Sequence, residues 1–441
     1  PHEGYDSMKR LCAALLLVLV GLCLALPEPA TARVYIDITK PSSRKIPLAL
    51  PDYGLLPSGG AAELGTQGRQ VLAGDLTYTG LFDILDPKTY LGPAQGEVNP
   101  RQWKRIGADL LITGNYESTA STLSVEMRLY DVTEGKLVVG RRYDGLPSDM
   151  PAIMHRFADE VMEALTGEKS VFSTQIAFTH AVGGIKEIWL MNFDGSGARQ
   201  LTHRGDICLF PAWSPDGRLL AYSCYVNRRP AIILHALAGG GGQVIVNKPG
   251  VNLTPAFRGN GQLAVATSHT GKTNIFLSDQ VGNLGANLTD GWGIDVAPSF
   301  SPNGKQMAFC SDRAGQPQIY IRDVDGGAVR RITYGHKYAA APSWSPRGDR
   351  IAFQVEVGGV FQVATIRPDG SDQQILTSGY GGGEEPSWSP DGRLIAYASR
   401  ATGRYQIYVM TANGQPIKRL TELPGENGNP AWSPRGVVGV K

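Results

Sequence analysis

Charge is scarce in this chain of 441 residues, with 19% Asp, Glu, Lys and Arg and a formal net charge of +2. That balance excludes a polyelectrolyte surface of the kind that drives wholesale nucleic-acid binding. Cysteine is scarcer, at five residues. Two of them, Cys12 and Cys23, sit in the N-terminal apolar run, which leaves Cys208, Cys224 and Cys310. Three is an odd number and none forms a Cys-x-x-Cys pair, so no disulfide framework is expected, and Cys224 and Cys310 read as small core residues. The seven histidines, His2, His155, His180, His203, His235, His269 and His336, include no His-x3-His pair of metal-ligand spacing. No Gly-x-Ser-x-Gly occurs, which removes the nucleophile elbow of a serine hydrolase. Gly239–Gly242 lacks the Lys-Ser/Thr of a phosphate-binding loop and reads as a turn. Collagen and long coiled-coil periods are absent too.

Glycine is abundant, at 55 residues, alongside 29 prolines and 42% hydrophobic residues. A turn-rich but well-cored globular chain follows, not a disordered one. Only one long apolar run occurs, Leu11 to Leu26, preceded by Lys9-Arg10 and followed by Ala30-Thr31-Ala32. Sixteen residues are short for a membrane span and suit a signal-peptide core with a small-x-small cleavage site. Residues 1–32 are therefore expected to be an upstream extension and cleaved leader, with Met8 as the start. An uncleaved anchor is the alternative. A lipoprotein reading at Cys23 would need a small residue where Leu22 stands.

The strongest signal is repetition. Pro211-Ala-Trp-Ser-Pro-Asp-Gly217 recurs as segments opening at Pro255, Pro298, Pro342, Pro386 and Pro430, at intervals of 44, 43, 44, 44 and 44 residues. Each carries an aromatic two places on: Trp213, Phe257, Phe300, Trp344, Trp388 and Trp432. Proline is tolerated at the start of a strand, the aromatic is a wedge between sheets, and the x-Gly pair is a tight turn. Further strands centre on Ile188, Ile232, Ile275, Ile319, Phe361 and Ile407, and a fourth ends near Leu-Thr. Four short strands per ~44 residues is the grammar of a β-propeller blade. The first copy, from Gln175, lacks the Pro-Trp-Ser strand and the last has little else. The strand around Trp432 is therefore expected to complete the first copy, closing six blades into a ring. Val437–Val440 is surplus to that scheme.

Residues 33–168 carry no repeat and are expected to form a small α/β domain, with 169–174 as linker and 175–441 as the six-bladed, all-β propeller. A helix is expected around Gln67–Leu76, and strands at Asp109–Tyr116, Leu123–Asp131 and Lys136–Tyr143. A second helix would be capped by Ser148, carry Pro151 in its first turn, and bury Ile153, Phe157, Val161 and Leu165 up to Gly167. His155 falls off that stripe and is expected to be solvated.

Export signal, α/β domain and six Pro-aromatic-Ser-Pro-x-Gly blades together resemble the TolB family across essentially the whole exported chain. The resemblance implies a non-enzymatic periplasmic adaptor of the Tol–Pal system, without cofactor or metal. Its implied partners are the lipoprotein Pal, docked at a propeller mouth, and TolA, engaged through the N-terminal segment. Colicins and phage proteins are further implied users of those surfaces, and support of outer-membrane integrity and cell division is the implied role. The residues before each motif proline, Cys208–Phe210, Asn252–Thr254, Asp295–Ala297, Ala339–Ala341, Gly383–Glu385 and Asn427–Asn429, vary between blades while the motif does not. A scaffold repeats, whereas a binding surface need not. By resemblance the Pal site comprises Val251, Asn252, Thr254, Asp295 and Val296, with Glu385 and Asn429 beside them. Val251 stands where some members carry His. The TolA segment is Arg33, Val34, Tyr35, Ile36, Asp37 and Ile38. These alternate as a strand, so they can equally be the first strand of the α/β domain or a strand lent to a partner's sheet edge. A segment that switches between the two states would couple the two partners. A glycan-binding propeller and a hydrolytic or lyase propeller are the alternatives, since Asn and Glu at a channel mouth suit sugars as well.

Overall fold

The structure, a computed structural model, describes residues 45–56, 59–90 and 99–436. The leader, the Arg33–Ile38 segment and Val437–Val440 lie outside the described residues.

The N-terminal region is built on one sheet. Its strands are β1 (Ile46–Ala49), β2 (Gly54–Leu55), β3 (Phe82–Ile84), β4 (Leu110–Ser118), β5 (Leu123–Asp131) and β6 (Lys136–Gly145). They run in the order β3-β1-β4-β5-β6, with β2 paired to β4. The β1 contacts to β3 and β4 are parallel, and β4-β5-β6 is an antiparallel meander. Strict alternation of buried and half-buried residues along β5 follows from its one-sided packing. Helix α1 (Ala62–Tyr78) joins β2 to β3, and α2 (Met150–Thr166) follows β6. Ile153, Phe157, Val161 and Leu165 of α2 are all buried. Gly167 ends α2 in the left-handed conformation at φ 76°. Ser148 does not cap it; a 3-10 turn, Pro147–Asp149, leads in, and the Asp149 carboxylate accepts from the Leu146 N–H at 2.8 Å.

The repeats form six antiparallel four-stranded blades. Blades 1 to 5 occupy residues 208–246, 252–287, 295–331, 339–375 and 384–419. Blade 6 is composite: Glu426–Trp432 pairs with Gln175–Val182, placing Trp432 opposite Ile176. The ring thus closes through strands about 250 residues apart in sequence, as the complementary halves predict, and no blade exposes an inner edge.

The repeated letters of the motif have physical jobs. The indole N–H of Trp213 donates to the Ala431 carbonyl at 2.9 Å, that of Trp388 to the Ser343 carbonyl at 3.1 Å, and that of Trp432 to the Thr174 hydroxyl at 2.8 Å. These three wedges are therefore bonded as well as packed. The motif serines staple neighbours: Ser299 accepts from the Trp344 N–H and Ser387 from the Trp432 N–H, both at 2.9 Å. The threonines that follow the fourth strands reach back to the third. Thr202, Thr289, Thr333, Thr377 and Thr421 each accept, at 2.9 Å, the N–H of Ile188, Ile275, Ile319, Val363 and Ile407.

The sequence reading of the cysteines is corrected on one point. Cys208 and Cys224 face each other directly on the first two strands of blade 1 and are joined by a disulfide. Cys310 is free and buried.

The N-terminal region packs on the motif-turn side of blades 5 and 6. One continuous apolar core joins α1 and α2 to Phe172, Phe193, Leu394, Ile407 and Trp432. His155, expected in solvent, is buried there. Its Nδ1 lies 2.7 Å from the Asp75 carboxylate, and its ring meets the edge of Phe193. Burial pushes the Asp75 carboxyl up to about 6. The face at the other end of the ring is left uncovered by the described residues.

Candidate functional site

The inner strand of every blade breaks register at the same place. Pairing shifts between Leu209 and Ala212, Leu253 and Ala256, Val296 and Ser299, Ala340 and Ser343, Glu384 and Ser387, and Gly428 and Ala431. The two residues inside each break are the motif proline and its predecessor. The proline therefore does not open the strand, as the sequence suggests, but sits mid-strand in a bulge, where its missing N–H costs no ladder bond. The predecessor is left-handed in all six blades: Phe210 (φ 56°), Thr254 (46°), Ala297 (52°), Ala341 (51°), Glu385 (54°) and Asn429 (47°). No glycine is used, so each position carries roughly 1 kcal/mol of backbone strain. Because it recurs in all six blades, this strain belongs to the shared blade architecture.

These bulges line the bore. A cavity of about 410 Å³ runs between them, walled by the six prolines, Phe210, Val296 and Tyr338, with Thr254, Gln354, Glu385 and Asn429 as its polar groups. A second recess of about 180 Å³ adjoins it at Lys186, Glu384, Glu385, Tyr405 and Asn429. Glu385 is the one charged group that lines both the bore and this recess. Its carboxylate accepts the backbone N–H of Asn429 at 2.5 Å and is also bonded to the Asn429 side-chain amide. Burial, with the neighbouring Glu384 carboxylate adding to it, pushes Glu385 up to about 7.

The sequence-nominated residues converge on this mouth but divide into two kinds. Thr254, Val296, Glu385 and Asn429 line the bore. Asn252 and Asp295 start their strands with side chains that are 0% exposed. Asn252 donates to the Pro230 and Lys248 carbonyls at 3.0 and 2.8 Å and accepts from Thr267 at 3.0 Å. Asp295 takes both its oxygens to Arg313 Nη2, at 3.1 and 3.0 Å. Both hold the mouth loops in shape from behind. Val251 is half-buried and donates its N–H to Ser268 Oγ at 2.9 Å. Arg33 to Ile38 lie outside the described residues. Sequence reasoning placed Phe210 in a mouth segment without singling it out. It missed Tyr338, whose place in the bore follows only from knowing where its loop lands.

Comparison with known proteins bears on this architecture directly. Residues 162–436 match the TolB beta propeller domain and residues 34–138 the TolB amino-terminal domain. The chain belongs to the TolB family. A TolB homologue of Chlorobium chlorochromatii is 37% identical over 304 residues, covering 68% of this chain and 69% of that protein. The Tol-Pal system protein TolB of Desulfosudis oleivorans is 38% identical over 289 residues, covering 63% and 65%. The crystal structure of TolB from Acinetobacter baumannii superposes with a TM-score of 0.73 at 27% identity, over 89% of this chain and 97% of that one. This TolB-family chain therefore shares both the α/β region and the closed six-bladed ring with a solved relative. No helix among its described residues is long and apolar enough to cross a membrane.

Proposed function

We propose that this protein is a periplasmic adaptor of the Tol–Pal system that docks Pal at the open mouth of the propeller and works without catalysis. The observation that carries the reading is the bore. Six non-glycine residues are held in left-handed bulges around a 410 Å³ cavity on the face that the N-terminal region leaves free. Family membership supplies the partner class. The cavity's chemistry suits a protein protrusion better than a reaction. Its walls are proline, alanine, valine and aromatic rings. Its one carboxylate, Glu385, is committed to Asn429 and the neighbouring Glu384 to the Tyr405 hydroxyl, so no pair of free acids stands ready for proton transfer.

In this reading Thr254 and Val296 touch Pal, while Asn252 and Asp295 fix the loops. Arg33 to Ile38 are the TolA-binding segment of this reading, and Val34 to Ile38 fall within the stretch that matches the TolB amino-terminal domain. Pal holding and TolA engagement by one molecule would serve outer-membrane integrity during constriction.

The test is calorimetric titration with the periplasmic domain of Pal from the same organism. Saturable binding is expected, weakened at least about 100-fold by Val296→Arg, whose guanidinium would fill the bore. Glu385→Ala should weaken it less. Absence of binding by the folded protein, with retention of chitooligosaccharides or muropeptides instead, would replace the adaptor reading by a glycan-binding one.

A further inference from the structure

The open face has more on it than the bore, and its chemistry is lopsided. Loops that enter blades 3, 4 and 5 carry Trp292, Tyr334 and Tyr380, which are 89%, 63% and 100% exposed. Loops at corresponding places ahead of blades 1, 2 and 6 carry no exposed aromatic residue. Isolated exposed apolar residues need no explanation, but three large rings on consecutive blades of one face do. Lys272, on the adjoining hairpin of blade 2, lies 3.7 Å over one face of Trp292 and leaves its other face open.

The arc of blades 1 and 2 is basic. Arg228 and Arg229 form the hairpin tip of blade 1, and Lys248 stands on the loop between blades 1 and 2. All three are exposed and, among the described residues, none has a carboxylate within ion-pair distance. Over the loops and hairpins of this face, eight exposed Lys and Arg stand against four exposed Asp and Glu. The face is therefore positive although the chain is nearly neutral.

We infer that the partner of the mouth is seated in one orientation by this asymmetry, with an apolar patch over the aromatic arc of blades 3 to 5 and an acidic patch over the basic arc of blades 1 and 2. This rests on the Pal reading and adds to it the chemistry of the surface that Pal must present. Aromatic anchors supply the holding energy of an interface, and opposed charge supplies steering and register. A flat anionic membrane would meet the rim but leave the bore unfilled, so a protein with a protrusion is the occupant that uses the whole face.

The experiment follows association and dissociation of the Pal periplasmic domain by surface plasmon resonance at 0.05 and 0.5 M NaCl. Arg228→Glu/Arg229→Glu should slow association about 10-fold at low salt and hardly at all at high salt. Trp292→Ala/Tyr380→Ala should raise Kd about 30- to 100-fold at both, chiefly through faster dissociation. Lys305→Glu, the same charge change as one of the arginine substitutions but on an exposed motif turn at the opposite face, should change neither rate. The substituted side chains are exposed, and unchanged circular dichroism and melting would confirm that the variants fold. Binding by the parent protein that survives the aromatic variant, or that Lys305→Glu weakens as much as the arginine pair does, overturns the orientation while leaving Pal as partner. No binding by the parent protein overturns both. Capture by phosphatidylglycerol vesicles, lost in the aromatic variant and competing with Pal, overturns the protein occupant of this face.

Discussion

Arg313→Met is the substitution whose consequences are best determined by the structure. Asp295 is fully buried at the start of its strand, and its two oxygens both meet Arg313 Nη2 at 3.0–3.1 Å. The guanidinium is itself held, donating from Nε to Ser311 Oγ at 2.9 Å and lying 5.3 Å from the ring centres of Phe309 and Tyr320. Methionine keeps most of the stem's packing and removes the charge. What remains is a carboxylate in an apolar site with no cation, and breaking a buried pair in this way costs about 3–5 kcal/mol. Adding Asp295→Asn removes the orphaned charge and should bring the double variant back to within about 1–2 kcal/mol of the parent. Urea unfolding of the four members of the cycle measures this. A single Arg313→Met loss under about 1 kcal/mol, or a double variant no better than the single, would refute the claim that the pair is a desolvated unit.

Three further outcomes follow from the bore and its walls. Ala297→Gly should raise stability by about 0.5–1 kcal/mol in denaturant titration, because Ala297 sits at φ 52°, and a loss of that size would show that the strain is not there. Glu385 holds its proton more tightly folded than unfolded, so its contribution to stability is complete below about pH 4.5 and is lost as pH rises through about 7. Melting temperature measured from pH 5 to 8 should consequently fall less steeply in Glu385→Gln than in the parent, and an unchanged slope would contradict the assignment. Replacing Cys208 and Cys224 together by alanine should cost about 2–3 kcal/mol, as expected for a cross-link 16 residues apart, and prior reduction of the parent should have the same effect.

The propeller was legible because its evidence is redundant. Six copies at one spacing determine blade number, and the unequal first and last copies determine ring closure, without any single residue being decisive. The bulges were not legible. Their left-handed residues are Phe, Thr, Ala, Ala, Glu and Asn, and only the last is a residue type that advertises φ > 0. The motif proline read as a strand opening because the two or three residues before it vary, and variable residues carry no shared strand pattern. The Cys208–Cys224 bond depends on hairpin register, which a spacing of 16 residues does not fix. His155 was misplaced for a related reason. Its α2 stripe accounts for packing against the sheet, but the helix has a second buried side, met by Asp75 of α1 and by Phe193 of the propeller. A periodicity within one helix cannot report a partner 80 residues away in sequence. At the mouth, the sequence found the right loops through their variability, yet could not separate Thr254 and Val296, which face the bore, from Asn252 and Asp295, which face inward.

The central claim is that a protein partner sits on the open mouth. Backbone hydrogen exchange of the chain, alone and saturated with the Pal periplasmic domain, tests it residue by residue. The account predicts slowed exchange in the loops at 247–254, 288–297, 332–341 and 376–385, with the motif turns such as Ser214–Gly217 and the edge strand β6 (Lys136–Gly145) unchanged. Protection confined to the motif-turn face or to the N-terminal sheet, with the mouth loops unaffected, would contradict it.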